Sequence, residues 1–188
     1  MKLYLATHNP HKIREISQIM PDVEVIADDP QGVEENAPDF QGNALLKVRA
    51  IACRHPGEWS MADDSGLEVD ALGGAPGVLS ARYSGENATS ESNNRLLLEN
   101  LKGVENRSAR FTCCCALVGP DGREVVVHGH CAGHIALSAA GVDGFGYDPL
   151  SIPEGDSRSF AELSSEEKNS ISHRSAALAK VKSVLRRG

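Results

Sequence analysis

The sequence predicts an α/β fold with a mixed sheet, and two observations carry that prediction. Short apolar runs alternate with helix-period segments early in the chain. Two longer apolar runs later on, joined by Pro120-Asp121-Gly122, read as a β-hairpin.

Lys2 to Ala6 reads as a short strand. Asn9 is a good helix cap and Pro10 suits the first helical position, with Ile13, Ile16, Ile19 and Met20 following at helical spacing. Val23 to Ala27 reads as a second strand. The polar loop from Asp28 to Asp39 carries Glu34 and Glu35. A helix from Phe40 to Cys53 follows, its apolar stripe formed by Ala44, Leu45, Val48, Ile51 and Ala52. Trp59 to Ala62 is expected as a buried strand ending at Asp63-Asp64-Ser65-Gly66. Gly73-Gly74-Ala75-Pro76-Gly77 is a turn-rich loop. A helix over Ser90 to Leu101 precedes the hairpin strands, Ala109 to Val118 and Glu124 to Cys131. Gly141 to Pro149 is a glycine-rich loop, and Ser164-x-x-Glu167 opens the C-terminal helical segment with a capping box.

The 188 residues suit one domain, built as two lobes around a cleft, and the 40% hydrophobic content is enough for a core. Aromatics are few, so that core rests on Leu, Ile, Val and Ala. The net charge of -7, with no Lys/Arg run beyond Arg186 and Arg187, speaks against nucleic acid as a partner. No apolar run nears the roughly 20 residues that span a bilayer, and the opening Met1 to Ala6 turns polar too soon for a secretory signal. Five cysteines in no disulfide-framework spacing point to a reducing cytoplasm. The triplet Cys113-Cys114-Cys115 reads as small buried hydrophobes on a strand.

Four segments carry candidate chemistry. Thr7-His8-Asn9-Pro10-His11-Lys12 lies where a strand feeds a helix, so backbone N–H groups, the helix dipole and the Lys12 charge can hold an anion. A capped surface helix explains the same residues. Asp63 and Asp64 end an apolar strand, where carboxylates need a cleft or a cation. Alternation points them apart, giving them different tasks. A metal or base site and a plain turn are equally open there. In Gly144-Phe145-Gly146-Tyr147-Asp148-Pro149, two glycines let a flat ligand approach the backbone, and Phe145 or Tyr147 can stack on a base. In Lys168-Asn169-Ser170-Ile171-Ser172-His173-Arg174, one straight helix would put Lys168 and His173 about 140° apart, so a break near Ser172 is expected. His128, His130, Cys131 and His134 suit zinc by type, but their spacing matches no closed site.

Together these segments, with the long stretches Ala62 to Leu72 and Gly74 to Tyr83, resemble the inosine triphosphate pyrophosphatase family, the XTP/dITP diphosphatases. The resemblance implies a long twisted mixed sheet flanked by helices, two lobes with a central substrate cleft, and a cytoplasmic homodimer. It implies an Mg²⁺-dependent hydrolysis of deaminated purine nucleoside triphosphates to the monophosphate and pyrophosphate. Asp64 would be the general base and a metal ligand, and Glu34, with Glu35 beside it, the other metal position. Thr7, His8, Asn9, Pro10, His11 and Lys12 would bind phosphate. Ser65, Phe145, Gly146, Tyr147, Asp148, Lys168, His173 and Arg174 would contact substrate. Arg174, donor-only, suits the O6 acceptor of hypoxanthine or xanthine, and Lys168 is its phosphate-binding contrast. His8, Pro10, His11, Gly42 and Cys131 depart from the family pattern without removing a catalytic group.

Overall fold

A computed structural model describes residues 1–187. Strand β1 (Lys2–Ala6) leads through the Asn9 cap into α1 (Pro10–Ile19), then β2 (Glu24–Asp28) and α2 (Phe40–Ala52). Strand β3 covers Trp59–Val69, α3 Ser90–Asn100, β4 Ser108–Val118, β5 Glu124–Ile135 and β6 Ser151–Pro153. Helices α4 (Ser165–Ile171) and α5 (His173–Leu185) close the described chain. The strands pair in the order β2-β1-β3-β4-β5-β6. The sheet is mixed, because β1 runs parallel to β2 and β3 whereas β5 and β6 are antiparallel.

The expected elements form where cap and period signals are strong. Asn9 accepts the His11 N–H, and Ser164 and Glu167 complete the foreseen capping box. The chain breaks at Ser172, whose extended backbone separates α4 from α5. Strand β3 departs from expectation. It does not end at the acidic pair but continues to Val69, eleven residues in all. Turn-type residues are held in the strand because their carboxylates find cations on both faces. The three-residue β6 carries no pattern of its own and went unforeseen.

The chain forms two compact units, each gathering separate segments. The first holds Met1–Asp64, Cys113–Gly129 and the segment from Arg174; the second holds Ser65–Thr112 and His130–His173. In the first, Ile16 of α1, Met20 at its C-terminal cap, and Leu178 and Val181 of α5 pack on Leu3, Leu5, Met61 and Cys115 of the sheet. In the second, Leu97 and Leu101 of α3 join Leu67, Phe111, Ile135, Tyr147 and Phe160. The cysteine triplet is fully buried, and burial pushes the Cys114 thiol up to about 12, so these side chains act as core hydrophobes. Among the described residues no helix is long and apolar enough to cross a membrane.

The α3 cap and the second core separate two sources of stability. Thr89→Ala removes the acceptor for the Ser92 N–H and is expected to cost about 1 kcal/mol. Leu97→Ala, at a side chain with no exposure, is expected to cost about 2–5 kcal/mol. Urea denaturation of both variants checks the ranking.

Candidate active site

Alternation along β3 sends its two central carboxylates to opposite faces. Asp63 shares the face of Trp59 and Met61, which α1 and α5 cover. There its Oδ2 accepts the Arg174 guanidinium through Nη2 at 3.0 Å and Nε at 3.2 Å, and its Oδ1 lies 3.1 Å from Lys12 Nζ. Asp64 turns to α2, where its Oδ1 accepts from Lys47 Nζ at 3.1 Å. The same ammonium donates to Glu35 Oε2 at 2.9 Å and to the Asp63 carbonyl at 3.0 Å.

These surroundings give neighbouring acids opposite character. Burial opposes ionisation of Asp63, but Lys12, Arg174 and Lys47 outweigh it and hold the carboxyl far below its ordinary value. For Asp64, burial prevails over Lys47 and Lys12, and the Glu35 charge adds to it, so its carboxyl lies above the ordinary value. Asp63 is thus a permanent anion within an ion-pair ring, and Asp64 the better proton acceptor. Burial also opposes the Glu35 charge, yet Lys47 brings that carboxyl below its usual range.

Among the described residues no three His, Cys, Asp or Glu side chains gather into a group able to hold a metal alone. Mg²⁺ needs less: one or two carboxylates, completed by waters and substrate phosphates. Asp64 Oδ2 is buried and accepts no hydrogen bond from the protein, and Glu35 meets the same lysine. That pair fits a hard divalent ion. Of the two adjacent glutamates, Glu34 is exposed, and Glu35 is the one that meets Lys47 and Asp64. Of the zinc-type residues, His130 approaches Thr112 Oγ1 at 3.0 Å, and Thr112 in turn donates to Glu68.

The phosphate-loop residues lie around the start of α1. Thr7 Oγ1 accepts the Asn9 N–H, and Asn9 Oδ1 accepts the His11 N–H behind Pro10. The acceptor oxygens of Thr7 and Asn9 shape the turn, while Lys12 brings its charge to Asp63. His8 is exposed, 3.8 Å from Asp29.

In the second unit the glycine-rich loop is held from three sides. Asp148 Oδ2 accepts the Phe145 N–H at 2.8 Å and Lys168 Nζ at 2.7 Å. Asn94 donates to the Gly146 carbonyl, and the Tyr147 hydroxyl to the Ser80 carbonyl at 2.7 Å. Gly144 has φ of 75°, and a Cβ there would lie 2.1 Å from Asp148 Oδ2, so only glycine fits. Lys168 Nζ lies 4.7 Å from the Phe145 ring centroid. Ser65, the residue after Asp64, is half-buried on β3, and His173 stacks on Phe111 at 4.8 Å.

Two expected roles change. Tyr147 is a core residue whose hydroxyl anchors the loop, which leaves the half-buried Phe145 as the ring able to stack. Arg174, 1% exposed, belongs to the first unit, where it binds Asp63 and, through Nη1, Glu15. Such a guanidinium braces the acidic strand. Lys47 and Glu15 escaped the sequence reading. Their only local signals were a lysine inside the apolar stripe of α2 and a glutamate one turn after Lys12.

Residues 3–184 match the model of the Ham1 family. The dITP/XTP pyrophosphatase of Mycobacteroides abscessus is 45% identical, covering 99% of this chain and 95% of its own length. That of Bacillus subtilis is 42% identical, with 96% and 95% covered. The solved Ham1 protein of Staphylococcus aureus superposes with a TM-score of 0.88 at 39% identity, covering 99% of this chain and 98% of that one. The HAM1 protein of Coxiella burnetii gives 0.87 at 36%, with both chains fully covered.

Asp63→Asn is expected to lower stability by about 3 kcal/mol at neutral pH, because Arg174 and Lys12 lose a buried partner. The depressed carboxyl of Asp63 stabilises the wild type fully above its unfolded value, about pH 4. That contribution is lost as pH falls further, so the deficit of the variant should shrink below pH 4. Chemical denaturation of both proteins across roughly pH 2.5–7 measures this. A constant deficit would mean that Asp63 acts through shape alone.

Proposed function

The chain belongs to the Ham1 family, and we propose that it hydrolyses deaminated purine nucleoside triphosphates, ITP, dITP and XTP, to the monophosphate and pyrophosphate. The arrangement of Asp63 and Asp64, within a full-length likeness to dITP/XTP pyrophosphatases, carries this reading. A bound Mg²⁺, held by Asp64 and Glu35, would screen phosphate charge and polarise the phosphoryl oxygens.

The chain's own residues supply the rest. Asp64, with its raised carboxyl, takes a proton from the water whose oxygen attacks the α-phosphorus; the α–β bridging bond breaks and pyrophosphate leaves. Lys12, with the N–H groups at the start of α1, stabilises charge gathering on the leaving phosphates. Lys47 orients Asp64 and Glu35 together. Thr7, His8, Asn9, Pro10 and His11 shape the phosphate loop, and Ser65 and His173 complete the substrate contacts. Phe145 stacks on the base, and Lys168, held by Asp148, donates to its O6. Adenine presents an amino donor at that position and leaves Lys168 without an acceptor. The same reading makes the protein a cytoplasmic homodimer, and its free cysteines accord with a reducing compartment.

A panel of nucleoside triphosphates with pyrophosphate detection tests the reading. Asp64→Asn is expected to lower kcat by about 10²–10⁴-fold with the fold intact. Lys168→Met is expected to narrow the preference for ITP over ATP, whereas Arg174→Lys should slow both alike. Orthophosphate as the product, or wild-type kcat in Asp64→Asn, would refute the mechanism. Selectivity lost in Arg174→Lys but kept in Lys168→Met would return base reading to Arg174.

A further inference from the structure

Glu35 lies in a stretch, residues 29–39, without helix or strand. A carboxylate on such a loop reaches Lys47 and Asp64 reproducibly only if the loop is seated. The seat is the first turn of α2. Ala37, two residues after Glu35, donates its N–H to Oδ1 of the buried Asn43 at 3.0 Å. Beside it stands Gly42, whose own N–H binds the Asp39 cap at 2.7 Å.

Backbone conformation does not explain that glycine. It is helical, its φ is not positive, and glycine is a poor helix former. Space explains it. A Cβ at Gly42 would lie 2.5 Å from Ala37 Cβ and 3.2 Å from Asp39 Oδ1, well inside the 3.5–4.0 Å or so at which carbons rest. Ala37 Cβ is attached directly to the loop backbone, so relief requires the loop itself to move, and Glu35 with it.

We propose that Gly42, with Asn43, is a positioning residue of the metal site: the notch left by its missing side chain seats Ala37 and thereby holds the Glu35 carboxylate beside Asp64. The inference rests on the reading that Glu35 and Asp64 hold a divalent ion. It makes this helix turn an outer support of the metal, of the kind whose loss weakens affinity about 10–100-fold.

Titration of the full-length protein with Mn²⁺, followed by the resonance of the free ion, tests this without turnover. Gly42→Ala is expected to weaken Mn²⁺ binding about tenfold or more, while its Tm stays level or rises because alanine favours the helix. Adding Ala37→Gly removes the clashing methyl, so the double variant should recover the affinity of Ala37→Gly alone. Wild-type affinity in Gly42→Ala overturns the inference, as does a folded double variant that fails to recover. Should Gly42→Ala not fold, a double variant that folds and binds supports the notch, and one that folds without binding refutes it. A wild-type protein that binds no Mn²⁺ overturns the metal reading itself, and the inference with it. Loss confined to the variant leaves that reading standing.

Discussion

Two consecutive carboxylates inside a buried strand are the constraint on which the rest of the first unit depends. A strand places neighbours on opposite faces, so no single cation pairs directly with both side chains of Asp63 and Asp64. Each face must bring its own. Lys12 and Arg174 arrive from α1 and α5, and Lys47 from α2. Leaving either acid unpaired would be strongly destabilising, so these ion pairs link three helices to β3 as firmly as apolar contacts do. The apolar packing and the charge pattern agree. Ile16 follows Lys12 on α1, Leu178 and Val181 follow Arg174 on α5, and Lys47 precedes Val48 on α2.

That constraint also sorts what was legible in the sequence. Helices announced themselves through period and caps, because both signals are local: Asn9 before Pro10, Ser164 before Glu167, the stripe from Ala44 to Ile51. The length of β3 was hidden. Asp-Asp-Ser-Gly reads as a turn by propensity, and only cations from segments distant in sequence keep it extended. Lys47 was hidden for the same reason. On α2 a lysine among apolar residues has no local meaning until Asp64 and Glu35 are placed beside it. The choice between Glu34 and Glu35 turns on the packing of Ala37 against α2, which no spacing rule encodes. Family resemblance supplied the motifs; tertiary contacts supplied the division of work among them.

Sequence adjacency proved a poor guide to shared work. Asp64 closes a segment of the first unit and Ser65 opens the second; His173 ends the second and Arg174 returns to the first. The Ser-His-Arg run thus serves two structures. Its histidine packs on Phe111 and its arginine on Asp63 and Glu15. The break at Ser172 makes this possible, because a residue in extended conformation resets the direction in which the following helix presents its side chains. Within the second unit the same economy holds: Asp148 at once closes the loop on the Phe145 N–H and neutralises Lys168 over the ring.

Charge around β3 bears on the divalent ion of the proposed reaction. Around β3, Lys12, Lys47 and Arg174 face Glu15, Glu35, Asp63 and Asp64, one more carboxylate than cations. The chain as a whole carries -7. A nucleoside triphosphate brings several further negative charges, and such a surface would repel it over the range of a Debye length. In the proposed reaction a divalent ion held by Asp64 and Glu35 would bring neutralising charge in together with the phosphates. Between turnovers Asp64 keeps the raised carboxyl that burial and the Glu35 charge give it. In the proposed reaction a seated Glu35 would offer that ion a second carboxylate beside Asp64.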